Sequence, residues 1–447
     1  MQACYLDGLG GQGMTMDTAI PQNLNEWTAS QIATATRAGN LTCEAVTRAC
    51  LEQIAAREPA VEAWQHLDAE AALAHAQALD RGAATRGPLF GVPFGVKDII
   101  DTHDMPTEYG SPIHRGHRPG RDAACVALMR RAGGVLLGKT VTTEFANLHP
   151  GKTHNPHDPA RTPGGSSSGS AAAVGDRMVP LALGTQTTAS TIRPASFCGI
   201  VGYRPTWGDL RLSGVLEAAG SLDTLGLMAR SVDDIALLRD VLLGVDPKPL
   251  SAEITKPRIG FCRTPLWDNA DSTTQRLLEE AAARLARSGA AVKDAVLPPG
   301  VTRIPDAHRA VSSFEFTRNF TWEIEQHWNE ISETLRNGRL KDGMATSFER
   351  YSEAREFLAA YRHGLDQFFE NYDVLLTPAA AGEAPVGLHS TGYTGFCTIW
   401  TSTHVPAVTL PVLRGPNGLP VGAQLIARRD RDRKLFAFAQ WIQRTLS

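Results

Sequence analysis

The most informative segment of this 447-residue chain is Pro163-Gly-Gly-Ser-Ser-Ser-Gly-Ser-Ala-Ala-Ala-Val174. Its glycines and serines predict a loop whose backbone approaches another group closely, and its alanines predict a tightly packed helix directly afterwards. A second segment rich in small residues follows at Gly184-Thr-Gln-Thr-Thr-Ala-Ser-Thr-Ile-Arg-Pro-Ala-Ser-Phe-Cys-Gly-Ile-Val-Gly202. Composition alone leaves a flexible, serine-rich turn as an equally good interpretation of the first segment.

Helical and strand patterns alternate on both sides of these segments. Buried strands are predicted within 87–100 and at 135–137, 179–184, 373–376, 407–412 and 421–427. Helices lie between them, including two long aromatic-rich ones at 306–338 and 348–369. This alternation predicts an α/β fold with a mixed central β-sheet covered by helices on both faces. We expect one domain over 23–447 with a helical insertion at about 300–370, preceded by a loose tail over 1–22.

Composition places the chain among ordinary globular proteins. Hydrophobic residues make up 43% and charged residues 20%, which excludes a mainly disordered chain. The net charge of −3 argues against nucleic acid or an anionic membrane as the main partner, and no run approaches 18 apolar residues. Seven cysteines without a CxxC pair argue against a disulfide framework, so a reducing, cytoplasmic location is expected.

One motif imitates a nucleotide-binding loop. The match to G-x-x-x-x-G-K-[ST] is Gly133-Gly-Val-Leu-Leu-Gly-Lys-Thr140. A P-loop follows a strand and begins a helix, so that its backbone amides can face phosphates. Here the variable positions are themselves a predicted strand, and no helix start follows. We interpret the match as a coincidence; nucleotide binding would test the alternative, a P-loop ATPase.

Taken together, the small-residue segments resemble the amidase signature family. That family's motif runs PGGSSGGSAAAV, then GTDTGGSIR, then PA-x-x-CG-x-VG-x-[KR]PT, and counterparts follow in this order from Pro163 to Thr206. An upstream G-P-L-x-G-[VI]-P-x-x-VKD motif corresponds to Gly87–Asp98, and a family-like end corresponds to Gly418–Ile426. The resemblance covers residues 26–446 and implies a single large domain of the amidase-signature type.

The resemblance also implies a Ser-cisSer-Lys triad that needs no cofactor. By position, Ser190 is the nucleophile, Lys97 is the base, and Ser166, after a cis Gly165–Ser166 peptide, is the bridging serine. The implied oxyanion hole consists of the backbone N–H groups of Thr187, Thr188, Ala189 and Ser190. Gly165, Ser167 and Arg161 are implied supporting residues, with Arg161 holding the loop.

The chemistry of these groups explains why the three types occur together. A serine hydroxyl is a poor nucleophile unless a base takes its proton, and Ser166 can relay that proton because a hydroxyl both donates and accepts. Lys97 is a base only when neutral, and burial in the apolar segment 92–100 lowers its pKa. Asp98 would raise that pKa, but adjacent strand residues point to opposite faces, so we expect Asp98 to face away.

The chain departs from the family pattern at the implied oxyanion hole. Thr188 and Ala189 replace glycines, Gln186 replaces the usual aspartate, and Arg193 lies one place later. A β-branched residue resists positive φ, so the hole either uses ordinary φ values or has a different geometry. Ser168 also replaces a glycine; it and Ser167 either support the relay or cap the following helix.

Other residues are assigned to the pocket or to packing. Ala146 is the predicted pocket residue and, with other small residues (Ala189 and Gly151), suggests room beside the nucleophile. The aromatic residues after 313 are expected mainly to pack their helices. Two histidine pairs, His154 with His157 and His114 with His117, lack the further ligands that a metal site requires, so no metal is expected.

These observations predict a soluble amidohydrolase that forms an acyl-enzyme on Ser190. The expected substrate is a neutral, aryl or small amide, and carbamate cleavage would use the same nucleophile. The expected partner is this small molecule, with no nucleic acid and no membrane, and the expected state is a monomer or homodimer. The alternative is the amidase subunit of a tRNA-dependent amidotransferase-like complex.

Overall fold

A computed structural model describes residues 23–82, 85–250, 254 and 256–447. The tail predicted over 1–22 lies outside these residues. The strands of the described part are β1 (Trp64–Leu67), β2 (Pro93–Lys97), β3 (Val135–Thr140), β4 (Leu181–Gln186), β5 (Val201–Arg204), β6 (Thr224–Ala229), β7 (Arg258–Phe261), β8 (Ala291–Asp294), β9 (Val374–Pro378), β10 (Ala407–Arg414) and β11 (Pro420–Ile426).

The helices of the described part precede, separate and follow these strands. They are α1 (Ala29–Ala38), α2 (Cys43–Val61), α3 (Ala69–Asp80), α4 (Ala124–Arg131), α5 (Ser168–Gly175), α6 (Ile192–Phe197), α7 (Val232–Leu243), α8 (Ser272–Arg287), α9 (Ile304–Asn319), α10 (Thr321–His327), α11 (Glu333–Leu335), α12 (Lys341–Ala345), α13 (Phe348–Phe368), α14 (Gly395–Ser402) and α15 (Asp432–Leu446). Among them, none combines the length and apolar character needed to cross a bilayer.

The described strands form one eleven-stranded sheet. Its order is β1-β3-β2-β4-β6-β5-β10-β11-β9-β7-β8. Strand β2 pairs in parallel with β3 and β4, and β7 pairs in parallel with β8 and β9. The remaining pairings are antiparallel. The predicted α/β fold with a mixed central sheet is therefore confirmed.

In central strands such as β4 and β9, adjacent residues enter different hydrophobic cores, because strand side chains point to opposite faces. Leu181 and Leu183 of β4 join a core with helices α1, α4, α7, α8 and α15, whereas Ala182 joins a core with α2, α3 and α5. In β9, Leu376 joins the first core and Leu375 joins a third core with α9, α13 and α14. Helices consequently cover both faces of a single large domain.

The predicted helix over 306–338 is broken into several pieces. Helix α9 ends where Phe320 leaves helical geometry and packs its ring against Phe145 and Phe316, at centroid distances of 4.7 and 4.4 Å. Further along, a π-helical turn at Arg336–Leu340 contains Gly338 in a non-helical conformation. Tertiary packing of the aromatic rings overrides the continuous helical pattern of the sequence.

The motif that imitates a P-loop is a buried strand. Lys139 lies inside β3, and its ammonium nitrogen is 3.2 Å from a carboxylate oxygen of Asp98, with both side chains almost fully buried. The Lys139 ammonium also donates to the Thr107 hydroxyl (2.6 Å). The Lys139 ammonium is therefore already hydrogen-bonded inside the protein. Asp98 faces Lys139, on the opposite side from the Lys97 side chain.

Candidate active site

Three chain segments bring the predicted triad residues to one place. Lys97 ends strand β2, Ser166 follows a cis peptide bond from Gly165, and Ser190 lies just before helix α6. The Lys97 ammonium nitrogen is 2.7 Å from the Ser166 hydroxyl oxygen and 2.9 Å from that of Thr185. Lys97 and Ser166 are thus in direct hydrogen-bond contact.

Ser190 and Ser166 meet at a cavity of about 480 Å³. We call it the serine cavity; it is lined by these two serines, Thr187–Ala189 and residues of α9, the π-helical turn and the 393–398 segment. The Ser167 peptide N–H donates to the Ser190 carbonyl (3.3 Å), which joins the two serine loops. Within the described residues, the two hydroxyl groups are not hydrogen-bonded to each other, and Ser190 keeps 9% exposure.

The environment of Lys97 makes it a usable base. Its side chain is fully buried, and desolvation lowers the pKa of Lys97 to about 7 although the nearby Asp223 carboxylate raises it. No carboxylate among the described residues forms an ion pair with Lys97. Near neutral pH, a large fraction of Lys97 is therefore unprotonated and able to accept a proton.

We expect kcat/KM for amide hydrolysis to rise with pH through about 7 and then level off, because only neutral Lys97 accepts a proton. Asp223→Asn should move this acid limb to lower pH, since the carboxylate of Asp223 raises the pKa of Lys97. The measurement is kcat/KM from about pH 5 to about pH 9.5 with one stable amide. A limb that keeps its position in Asp223→Asn would contradict the link to Lys97.

The predicted oxyanion donors form the edge of the cavity beside Ser190. The peptide N–H groups of residues 187–190 have no acceptor among the described residues, so they are free to bind a ligand oxygen. Neither Thr188 nor Ala189 has a positive φ. Replacement of the family's glycines is therefore compatible with ordinary backbone geometry at this loop.

Gln186 replaces the usual aspartate, and its side chain makes three hydrogen bonds. Its side-chain oxygen accepts from the N–H groups of Thr191 and Ile192 at 3.0 Å each, at the start of α6. Its amide nitrogen donates to the Thr401 hydroxyl (3.2 Å), which in turn donates to the Thr188 carbonyl (2.9 Å). An amide side chain thus satisfies the orphan N–H groups of the helix and holds the donor loop from behind.

Two further side chains fix the same loop. Asp223 accepts from the Thr187 hydroxyl and from the N–H groups of Ala218 and Ala219. His308 has its Nε2 3.2 Å from the Thr187 carbonyl oxygen, and burial lowers the pKa of His308 to about 4. The imidazole is accordingly neutral at pH 7, and it contributes no charge to the serine cavity.

Arg193 and Ser167 make backbone contacts that fix the serine loop (residues 163–168), whereas the side chain of Arg161 contacts other segments. Arg193 donates to the carbonyl oxygens of Gly165 and Gly392 at 2.6 Å each, so it clamps the cis peptide. Arg161 donates to Asp158 and to the Ala384 carbonyl. The Ser167 hydroxyl contacts the backbone of Thr185 and makes no capping bond to α5.

The substrate end of the serine cavity differs from the expected neutral, apolar pocket. Ala146 lines it in a left-handed conformation (φ 57°), and Phe316 provides apolar surface. However, Arg309, Arg339 and Asp342 line it as well. Gly151 is not among the lining residues.

The histidines of the two predicted pairs are used inside the protein. His154 and His157 contact the carbonyl oxygens of Pro159 and Cys198, and the ring of His114 contacts Glu323. The described residues contain one cluster with metal-ligand chemistry, formed by His103, Asp104 and Asp122. Arg130 forms ion pairs with both aspartates of this cluster, so its guanidinium offsets one of their two negative charges.

Sequence reasoning missed Asp223, His308 and Arg339. Asp223 had a readable signal, because Ser221-Leu-Asp-Thr224 places an acidic residue directly before a buried strand. His308 and Arg339 lie in a helical region that gives no local sign of facing Ser190. Their positions follow from how α9 and the π-helical turn pack over the sheet.

Known proteins are similar to this chain over most of its length. The profile of the Amidase family matches residues 45–436. A glutamyl-tRNA(Gln) amidotransferase subunit from Chloroflexus aggregans is 34% identical, with 91% of this chain and 93% of the relative covered. A solved amidase superimposes with a TM-score of 0.87 at 28% identity, covering 94% of this chain and 100% of the other. The peptide amidase of Stenotrophomonas maltophilia gives 0.80 at 28% identity, covering 94% and 97%.

These relatives correct the predicted partners. The sequence suggested a small amide or carbamate only, with no nucleic acid and a monomer or homodimer. That prediction is wrong, because curated relatives over nearly the whole chain are subunits of glutamyl-tRNA(Gln) amidotransferase. The net charge averages over the whole surface, so it does not indicate which other chains or ligands a protein binds.

Proposed function

Because this chain belongs to the amidase family, we propose that it is the amide-hydrolysing subunit of a tRNA-dependent amidotransferase-like complex. The family assignment makes it a hydrolase of carbon–nitrogen bonds other than peptide bonds. The relatives that are glutamyl-tRNA(Gln) amidotransferase subunits support the assembly. An amidotransferase needs a source of ammonia, and hydrolysis of a primary amide at the serine cavity would supply it. The choice of substrate rests on one observation: Arg339 lines the serine cavity, and no carboxylate of the described residues forms an ion pair with it.

In the proposed mechanism, Ser190 attacks the carbonyl carbon of the amide. Its proton passes to Ser166 while the proton of Ser166 passes to neutral Lys97, which lies 2.7 Å away. The carbonyl oxygen gains negative charge, and the free N–H groups of residues 187–190 stabilise it. The relay then returns a proton to the amide nitrogen, which leaves as ammonia, and an acyl ester remains on Ser190. Water then attacks the ester by the same relay, which releases the carboxylic acid product and regenerates the Ser190 hydroxyl.

Arg339 gives the serine cavity a charge that suits a substrate carboxylate. Its guanidinium donates to the Ser312 hydroxyl, and no carboxylate of the described residues forms an ion pair with it. Arg309, by contrast, is already held by Asp342. Burial lowers the pKa of Arg339 only to about 10, so it stays protonated at pH 7. We therefore propose an aliphatic amide that carries a carboxylate, such as glutamine.

Arg339→Gln should lower kcat/KM for glutamine by about 100-fold, because a desolvated charge pair is lost. Hydrolysis of butyramide, which has no carboxylate, should change less than about threefold. Steady-state assays of released ammonia measure both. Arg318→Gln is the control, since Arg318 lies on the same helical region but outside the serine cavity. Equal glutamine hydrolysis by Arg339→Gln and the unaltered chain would refute the carboxylate site.

The assembly is tested separately from the substrate. The chain, purified under native conditions from its own cells, should elute above the size of one or two copies and should support amidation of glutamyl-tRNA with glutamine as donor. A chain that hydrolyses glutamine but elutes alone, with no tRNA-dependent transfer, would retain the hydrolase and reject the complex.

A second candidate is a hydrolase of aryl amides or carbamates. The apolar surface of Phe316, which lines the serine cavity together with Ala146, favours it. An anilide or its carbamate analogue hydrolysed faster than glutamine would select this candidate. In either case we propose a cytoplasmic location, since the six described cysteines are free and buried.

A further inference from the structure

A second cavity lies across helix α9 from the serine cavity. It encloses about 710 Å³ and takes residues from well-separated parts of the chain, among them Trp207, His404, Arg429 and the α13 residues Arg355, Arg362 and His363. We call it the arginine cavity. None of these six residues lines the serine cavity, although α9 contributes Val311 to one cavity and Ser312 to the other.

The arginine cavity holds positive charge without matching negative charge. Arg355 and Arg362 are seven residues apart on α13 and so share one helical face. Among the described residues no carboxylate forms an ion pair with either, whereas Arg429 is paired with Asp366. Glu356 is the one acidic lining residue, and it is exposed. Burial and the neighbouring Arg429 and Arg355 lower the pKa of Arg362 to about 10, so Arg362 stays protonated at pH 7.

An aromatic surface adjoins these cations. The Trp207 ring stacks on the His404 ring with centroids 4.6 Å apart and planes inclined by 17°. Nε2 of His404 is 2.9 Å from the Ser221 carbonyl oxygen, and burial lowers the pKa of His404 to about 2, so this imidazole is neutral. Trp207 remains 39% exposed at the cavity. A planar ring can therefore extend the stack.

We propose that the arginine cavity binds a nucleotide, with Arg355 and Arg362 holding its phosphate and Trp207 stacking on its base. Guanidinium groups match the geometry of phosphate oxygens, and an aromatic face accepts any base. The volume exceeds what a phosphate group alone requires. The ligand is either a free mononucleotide or the terminal nucleotide of an RNA strand. The site is distinct from the serine cavity and does not depend on the proposed hydrolase function.

Calorimetric titration of the full chain tests this assignment with three probes: AMP, inorganic phosphate and a short single-stranded RNA with a 5′-phosphate. AMP should bind with a Kd below about 1 mM and about tenfold more tightly than phosphate. Arg362→Gln and Arg355→Gln should each weaken AMP binding by about tenfold. Trp207→Leu should weaken AMP binding and leave phosphate binding unchanged. Arg276→Gln, an exposed arginine paired with Glu280, is the control.

The results distinguish an RNA terminus from a free nucleotide as the ligand, and they also show when the proposal fails. Tighter binding of RNA than of AMP assigns the site to an RNA terminus, and equal or weaker binding assigns it to a free nucleotide. Arg355 is exposed, so its variant remains informative if Arg362→Gln fails to fold. Absence of AMP binding up to about 10 mM, or binding unaffected in both arginine variants, overturns the proposal.

Discussion

Replacing Ser190 with alanine should reduce kcat/KM for amide hydrolysis by at least about 10⁴-fold, because no other described hydroxyl faces both the relay and the free N–H groups of 187–190. Among the described residues, Ser166 is the other triad hydroxyl, and it is bound to Lys97. The assay is steady-state release of ammonia, combined with mass spectrometry to detect an acyl adduct. The adduct should appear with the unaltered chain and be absent from Ser190→Ala.

Ser168→Gly is the matched control for this experiment. Ser168 begins helix α5, two residues after Ser166; it donates to the Val141 carbonyl and does not line the serine cavity. Its variant should stay within about tenfold of the unaltered chain, since it restores the residue typical of the family. Turnover by Ser190→Ala at the level of the unaltered chain would remove Ser190 as nucleophile.

Lys97→Met should lower kcat/KM by about 10³-fold or more while the fold is retained. Methionine fills the buried space, and Lys97 has no ion-pair partner among the described residues whose charge would be left unpaired. The double variant Lys97→Met/Ser190→Ala should be no slower than Ser190→Ala alone, because the relay acts as a unit. Activity and thermal unfolding are measured on the same samples.

Lys139→Met should show the opposite pattern to Lys97→Met, because its main effect should be on stability. Lys139 is buried and paired with Asp98, so its loss leaves a buried carboxylate and should cost about 3–5 kcal/mol of stability. The two lysines come from neighbouring strands and differ mainly in their surroundings. If Lys97→Met loses stability as Lys139→Met does, but keeps its activity, Lys97 has a structural role and the proposed relay fails.

Local sequence patterns predicted the strands well where burial is complete. Residues 135–137 and 421–426 lie in β3 and β11, because short, mainly apolar segments next to glycine or proline have few alternatives to a buried strand. The sequence pattern predicts a continuous helix over 306–338, yet Phe320 and Gly338 interrupt it. Helical periodicity reports which residues are apolar, but a break at an aromatic residue depends on the distant rings against which it packs.

The sequence by itself determined the family and the α/β fold, and it predicted Lys97, Ser166 and Ser190 as the triad residues. Each of these three lies in a contiguous motif whose local geometry is set by neighbouring glycines and strands. Only the tertiary structure decided that Asp223 holds Thr187, that Arg339 faces the serine cavity and that separate chain segments form the arginine cavity. Charges and hydrogen bonds act over short distances in space, so residues far apart in the sequence become partners only when the sheet and helices pack.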